Sequence, residues 1–232
     1  MSHDNIEGFY PLSPTQQGML FHSLFAPETG VYVIQSPLGL VGDLQLPAWE
    51  AAWTDIFRRH GVLRTFFISD EVKEPVQVVR REVSLPLTVH DWTEFPEEER
   101  ERRLRELLHR DKHEGFNLSQ PPLVRLTLIR TGEQNYTFVF TAHHLLLDGW
   151  SLGLLFKEMF ALYEGYVQDT KVELAPVSPF RDHVAWLRKQ DLQKAEMFWR
   201  KSLEGFTTPT PITFGKNETA EDHFSLELNE EL

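Results

Sequence analysis

Two adjacent histidines stand in the stretch AHHLLLDGWS, residues 142–151, followed by an apolar triplet and an Asp-Gly turn. A histidine titrates near neutral pH, so it can take a proton from a reacting amine or alcohol or orient that group by hydrogen bonding. Side chains alternate along a strand, so only one of His143 and His144 is expected to meet a ligand, while the other, with Asp148 and Gly149, holds the loop. Metal binding fits poorly: the HExxH spacing is missing, and neighbouring histidines converge badly on one ion. A Walker A loop and a dinucleotide glycine fingerprint are absent from the sequence, and the one G-x-S-x-G string, Gly149 to Gly153, falls at the Asp-Gly turn and the start of a predicted helix and not at the end of a strand, where a nucleophile elbow stands. Residue types alone leave two readings open: a histidine that works without a protein nucleophile, and a buried, hydrogen-bonded structural pair.

The elements that must position this stretch follow from periodicity. Leu123 to Arg130 and Tyr136 to Ala142 read as strands joined across Thr131-Gly132, a hairpin that delivers the histidines to the rim of a sheet. A helix is predicted from about Ser151 to Tyr163, with Leu154, Leu155, Met159 and Leu162 inward. Near the start, Ser13, Pro14 and Gln16 supply an N-cap hydroxyl, a proline at the first helical position and a capping-box glutamine, and Met19, Leu20, Leu24 and Phe25 follow at helical spacing. Residues 31–41 read as extended, with Pro37 marking an edge or an irregularity. A second helix runs from about Pro47 to Arg59 with Trp49, Trp53, Ile56 and Phe57 on one stripe and Gly61 as its stop. Leu63 to Ile68 and Pro75 to Val79 predict a hairpin, Leu85 to Val89 a further extended piece, and 96–112 a solvated helix with a seam of Leu104, Leu107 and Leu108. Shorter helices are expected at 180–189 and 191–203. Beyond Gly205 the chain turns polar, with one strand-like piece at Phe224 to Leu228.

Composition narrows the function classes. With 23 Lys+Arg against 35 Asp+Glu, the 232-residue chain carries a formal charge of −12, which argues against non-specific binding to nucleic acid or an anionic membrane. It is 41% hydrophobic with 17 Phe and 6 Trp, the composition of an aromatic-rich globular protein. Cysteine is absent, so no disulfide, thiolate zinc site, iron–sulfur cluster or cysteine nucleophile is possible. The opening MSHDNIEGFYPLSP lacks the basic start and apolar core of a secretory signal, and no run of about 18 apolar residues suggests a membrane span; a cytoplasmic protein is expected.

AHHLLLDGWS resembles the HHxxxDG signature of the condensation domains of nonribosomal peptide synthetases, in the chloramphenicol-acetyltransferase-like superfamily. Three further stretches are similar to family motifs in the expected order: YPLSPTQQGMLFHSL at 10–24, RHGVLRTFF at 59–67 and SPFRDHVAWL at 178–187. In the last, Phe180 stands where a tyrosine is common and His183 where an aromatic is usual. The wording QQGMLFHSL and HHLLLDGWS is closer to the subtype that accepts a donor ending in a D-residue.

The resemblance implies an α/β fold, a mixed β-sheet flanked by helices, and a chain similar to the N-terminal lobe alone. Residues 1–205 would be that lobe, and 206–232 a linker or the start of the segment crossing to a missing C-terminal lobe. Family members join a peptidyl and an aminoacyl thioester, each on the phosphopantetheine arm of a carrier protein, so carrier proteins are the implied partners and no intrinsic cofactor is expected. By the match, His144 lies at the reaction centre, as general base or as the group that positions the amine. His143, Asp148 and Gly149 are assigned to the loop, with Gly149 a further candidate to aim its N–H at an oxyanion. Arg64, awkward in an apolar strand, is expected to clamp Asp148. Gln17, Gly18 and Met19 are candidates to line the tunnel. The alternatives are a non-catalytic carrier-docking module, a lobe of an epimerization domain, and a standalone acyltransferase. An isolated lobe is expected to be inactive or weakly active.

Overall fold

The first regular element is a strand that periodicity did not announce: β1, Ile6–Pro11, in the computed structural model, which describes residues 5–208. It leads into α1, Pro14–Phe25, which starts where the capping box requires. Ser13 Oγ accepts from the Gln16 N–H at 3.2 Å, and Gln16 Oε1 accepts from the Ser13 N–H at 3.0 Å. Strand β2, Val33–Val41, follows, then α2, Leu46–Arg59. A 3-10 turn, Gly61–Arg64, separates α2 from β3, Thr65–Ile68. Leu63 and Arg64 therefore belong to the turn and not to the strand. The chain continues through β4, Val76–Arg80; β5, Leu87–Asp91; α3, Glu97–Glu114; β6, Val124–Arg130; and β7, Asn135–His143. Helices α4, Gly149–Gln168, and α5, Phe180–Leu187, complete the first of two compact units, Met1–Lys189. The second unit, Gln190–Leu232, contributes α6, Leu192–Ser202, capped by Asp191 through the N–H groups of Gln193 and Lys194. The strand-like piece expected at 224–228 lies outside the described residues.

The strands form two sheets, where the sequence had suggested one. The larger, in the order β2-β7-β6-β5, is the expected mixed sheet: β2, β7 and β6 are antiparallel, and β5 runs parallel to β6 because α3 carries the chain back between them. Pro37 sits in β2 at the edge of this sheet, opposite Val139. The smaller sheet, β1-β4-β3, is antiparallel throughout. Its β3–β4 hairpin was legible; the pairing of β1 with β4 was not, since Phe9 meets Val78 across most of the N-terminal third of the chain.

Alternation on β7 divides the core. Phe138, Phe140 and Ala142 face Trp49 and Trp53 of α2 and, with Leu155 and Met159 of α4, are fully or almost fully buried. Trp49 meets Phe138 edge-on with ring centroids 5.0 Å apart, and Trp53 stacks over Phe140 at 5.9 Å, geometries that add to the area term. Ile129 and Val139 face the opposite way and form a smaller cluster with Trp92 and Leu107, beneath α3. One expectation for α4 fails: Leu154 is 66% exposed, because Leu155 and Met159 define the inward stripe and Leu154 falls about 100° away from Leu155.

Candidate functional site

The histidines lie at the end of the β6–β7 hairpin, as the sequence predicted, and their environments differ sharply. His143 is the last residue of β7, 4% exposed. Its Nδ1 accepts from the Leu145 N–H at 3.1 Å. The proton is thereby assigned to Nε2, which lies 3.2 Å from Ser23 Oγ, and that hydroxyl donates in turn to Met19 O at 2.8 Å. Burial, helped by the neighbouring His144, pushes the His143 pKa down to about 4, so this ring is neutral at physiological pH.

His144 points elsewhere. It is half-buried and lines a cleft of about 750 Å³. Its backbone N–H donates to Tyr32 O at 2.8 Å, and its Nδ1 is 2.9 Å from Leu147 O. A carbonyl can only accept, so Nδ1 carries the proton of the neutral ring and Nε2 keeps a free lone pair. A nitrogen in that state can accept a proton or hold an amine hydrogen.

Asp148 corrects an expectation. Its side chain caps α4, accepting from Ser151 N–H at 2.8 Å and Ser151 Oγ–H at 2.6 Å. Those hydrogen bonds from Ser151 hold the carboxyl below the usual carboxylate range. It is exposed, not tucked beneath the loop. Arg64 is likewise engaged elsewhere. Its Nε donates to Phe57 O at 2.8 Å, one terminal nitrogen to Arg58 O at 3.2 Å, and the other to Glu7 Oε2 at 2.7 Å, to Arg81 O at 3.1 Å and to Arg80 O. The last carbonyls of α2 have no intrahelical donors, and a guanidinium one turn beyond is well placed to serve them. The expected Arg64–Asp148 clamp is therefore not formed, because each group has nearer partners. Gly149 opens α4, where its N–H has no intrahelical acceptor, and a Cβ there would meet nothing within 4 Å.

Of the three tunnel candidates, Met19 lines the cleft, whereas Gln17 and Gly18 are exposed and lie off its lining. The inward stripe of α1 holds Gln16, Leu20 and Ser23; residues 17 and 18 rotate away from it. Sequence reasoning missed other lining residues, four of them with informative contacts. Gln16, 6% exposed, sends Nε2 to Leu145 O at 2.9 Å, directly into the histidine loop. Tyr10 faces the same cleft; burial pushes its phenol up to about 12, with Arg181 pulling down and Glu7 pushing up, so it stays a proton donor. Arg59 and His60, at the end of α2, also line the cleft and both reach Glu158 of α4, at 2.8 and 2.7 Å. The capping box pointed to Gln16, but nothing local pointed to its second bond.

Among the described residues no three His, Asp or Glu side chains gather as metal ligands would, and no helix is long and apolar enough to cross a membrane.

A family model for the condensation domain matches residues 6–232. The chain belongs to the condensation domain family. The domain is 43% identical over 213 residues to a linear gramicidin synthase protein of Brevibacillus parabrevis, covering 92% of this chain and 4% of that protein. It is 36% identical over 208 residues to bacitracin synthase 3 of Bacillus licheniformis, covering 90% of the chain and 3% of the relative. Among solved structures, it is similar to the starter condensation domain of the rhizomide synthetase RzmA, with a TM-score of 0.76, 20% identity and coverage of 88% of this chain and 50% of that one. The first condensation domain of the calcium-dependent antibiotic synthetase gives a TM-score of 0.73 at 18% identity, with coverage of 85% and 48%. These two share the α/β fold, and the chain spans about half the length of each. It spans a few per cent of the two synthases.

Proposed function

We propose that this chain supplies the first half of a condensation domain and that His144 serves the amide-forming step there. Residues 1–205 form the lobe, and 206–232 begin the passage to the second half. In the reaction, the α-amine of an acceptor aminoacyl thioester attacks the carbonyl of a donor peptidyl thioester. A C–N bond forms, the C–S bond breaks, and the proton lost by the amine reaches the departing sulfur. His144 Nε2 orients the amine and takes that proton on its way. Both substrates arrive on the phosphopantetheine arms of carrier proteins, so the domain needs no resident cofactor. Much of the rate comes from holding the two thioesters together.

One observation carries the reading: Leu147 O holds the His144 Nδ1–H, so that in the neutral ring the lone pair is on Nε2, at a cleft large enough for a substrate arm. The neutral, enclosed His143 supports the division of labour between the two rings. His143, Asp148 and Gly149 shape the loop. The motif wording favours a donor ending in a D-residue, and the reaction is placed in the cytoplasm as part of the same reading.

The test is His144→Ala in a complete condensation domain that contains this chain, with carrier-bound product followed by mass spectrometry in a single turnover. Product formation should fall by about 100-fold or more, within the usual range for a lost acid–base group, while carrier affinity and thermal stability hold. An undiminished rate would refute the role. Residues 1–232 alone should condense little, since the chain supplies one wall of the substrate path.

A further inference from the structure

An imidazole in a loop acts well only if the loop holds it to one orientation, and α1 touches that loop on both sides of His144. We propose that Gln16 and Ser23 are positioning residues for His144, gripping the residue before it and the residue after it so that one ring nitrogen is kept free at the cleft. The proposal deepens the function given above and rests on it.

On one side, Ser23 Oγ lies 3.2 Å from Nε2 of His143. On the other, Gln16 Nε2 donates to Leu145 O at 2.9 Å. Gln16 and Ser23 are seven residues apart, about two helical turns, and so share a face of α1. Gln16 is held in turn. Its Oε1 accepts from the Ser13 N–H at 3.0 Å and from Gln77 Nε2 at 3.0 Å, and its Nε2 lies 3.3 Å from Gln77 Oε1. Gln77, 1% exposed, is anchored by a bond from Nε2 to Pro11 O at 3.0 Å. A glutamine serving only as a capping residue needs its oxygen and not its nitrogen. Here the nitrogen is buried and spent on the loop.

The consequence for His144 is geometric. Leu145 begins the short segment that ends at Leu147, whose carbonyl holds Nδ1–H at 2.9 Å. Freeing Leu145 O lets that segment rotate, withdraws Leu147 O from the ring, and allows the proton to sit on either nitrogen. The loss then falls on turnover and not on substrate binding.

The experiment uses the complete condensation domain containing this chain. Gln16→Met keeps the length of the side chain and removes its polar atoms. Gln16→Glu keeps an oxygen for the cap and removes the donor to Leu145 O. Ser23→Ala releases His143. Each should lower single-turnover condensation by about 10- to 100-fold, the scale of a small misplacement of a reacting group, with KM for both carrier substrates changed less than about twofold. Nitrogen-15 spectra of the His144 ring should show one Nδ1–H tautomer in the parent and a mixture in the variants. Parental rates in the Gln16 and Ser23 variants, or a lost rate with an unchanged tautomer, overturn the grip. If the Gln16 variants fail to fold, Ser23→Ala, which removes one hydroxyl, decides by the same two readouts. His144→Ala run alongside separates the failures: an undiminished rate there refutes the reaction-centre reading, while the tautomer spectra still test the grip.

Discussion

Arg59 and Glu158 meet in a two-point ion pair that ties the end of α2 to the middle of α4. Nε lies 2.8 Å from Oε2 and a terminal nitrogen 3.2 Å from Oε1, while His60 Nε2 approaches Oε2 at 2.7 Å. The two side chains are 21% and 24% exposed, between a solvated pair, worth about 0–1 kcal/mol, and a buried one, whose rupture costs about 3–5 kcal/mol.

Glu158→Gln should therefore destabilise the fold by about 1–2 kcal/mol, a value between those limits. Burial acts to raise the Glu158 pKa, but the hydrogen bonds from Arg59 and His60 outweigh it and leave the group below its ordinary 4.5. A depressed carboxyl stabilises above its unfolded pKa, and that contribution disappears as pH falls through the folded value. Urea unfolding at pH 7 and near pH 3 should show the parent and Glu158→Gln converging at the acid end. A constant gap between them contradicts the pairing.

His143 makes an independent pH prediction. Its pKa falls from 6.5 to about 4 on folding, so between those values the unfolded chain binds more protons and stability drops as pH is lowered. The stability is complete above about 6.5 and the loss is finished near 4, with about 3 kcal/mol as its ceiling. In His143→Asn this part of the pH profile should flatten, as seen by thermal unfolding from pH 4 to 7.5.

Asp148 and Arg64 should behave as strangers. Asp148→Ala removes an N-cap and should cost about 1 kcal/mol. Arg64→Ala strips donors from one buried and several half-buried carbonyls and should cost about 3 kcal/mol, at about 1–3 kcal/mol per orphaned group. In equilibrium unfolding the double variant should equal the sum within about 0.5 kcal/mol, as for groups that share no partner. A strong coupling energy would restore the clamp.

On the far face of the larger sheet, Asp111 is 7% exposed and accepts from Thr141 Oγ1 at 3.0 Å. Arg125 Nε stands 3.2 Å from its other oxygen but out of line for a hydrogen bond, and the guanidinium lies over the Phe116 ring at 4.2 Å. Asp111→Ala leaves that cation without its carboxylate and should cost about 3 kcal/mol, the low end for a broken buried pair. Denaturant midpoints measure it directly; a loss under about 1 kcal/mol marks the pair as solvated.

How much of this was legible depended on sequence distance. The α1 cap, the β6–β7 hairpin and the separation of the two histidines rest on neighbours within a few residues, and each was read correctly. The split into two sheets turns on β1 finding β4, and the site's bracing on Gln16 finding Leu145, contacts that no local period encodes. Arg64 was misplaced for a related reason. It looked like a strand residue in need of an anion; the anion is Glu7 of β1, far along the chain, and its other partners are the carbonyls of residues 57, 58, 80 and 81, backbone acceptors that leave no signature in a sequence. Leu154 failed because an apolar side chain at helical spacing can face a cleft as readily as a core.

The bond from Gln16 to Leu145 spans 129 residues. Its capping box gives α1 a start signal from neighbouring residues, but the carbonyl it must reach belongs to a loop far along the chain. Contacts of such wide sequence separation are the kind that slow folding. The orientation of His144 thus depends on a contact from the opposite end of the chain and not on its own loop alone. Wherever that contact is lost and α1 undocks, Phe21, Leu24 and Phe25, exposed even in the folded chain, go with it as an apolar face that invites association with other chains.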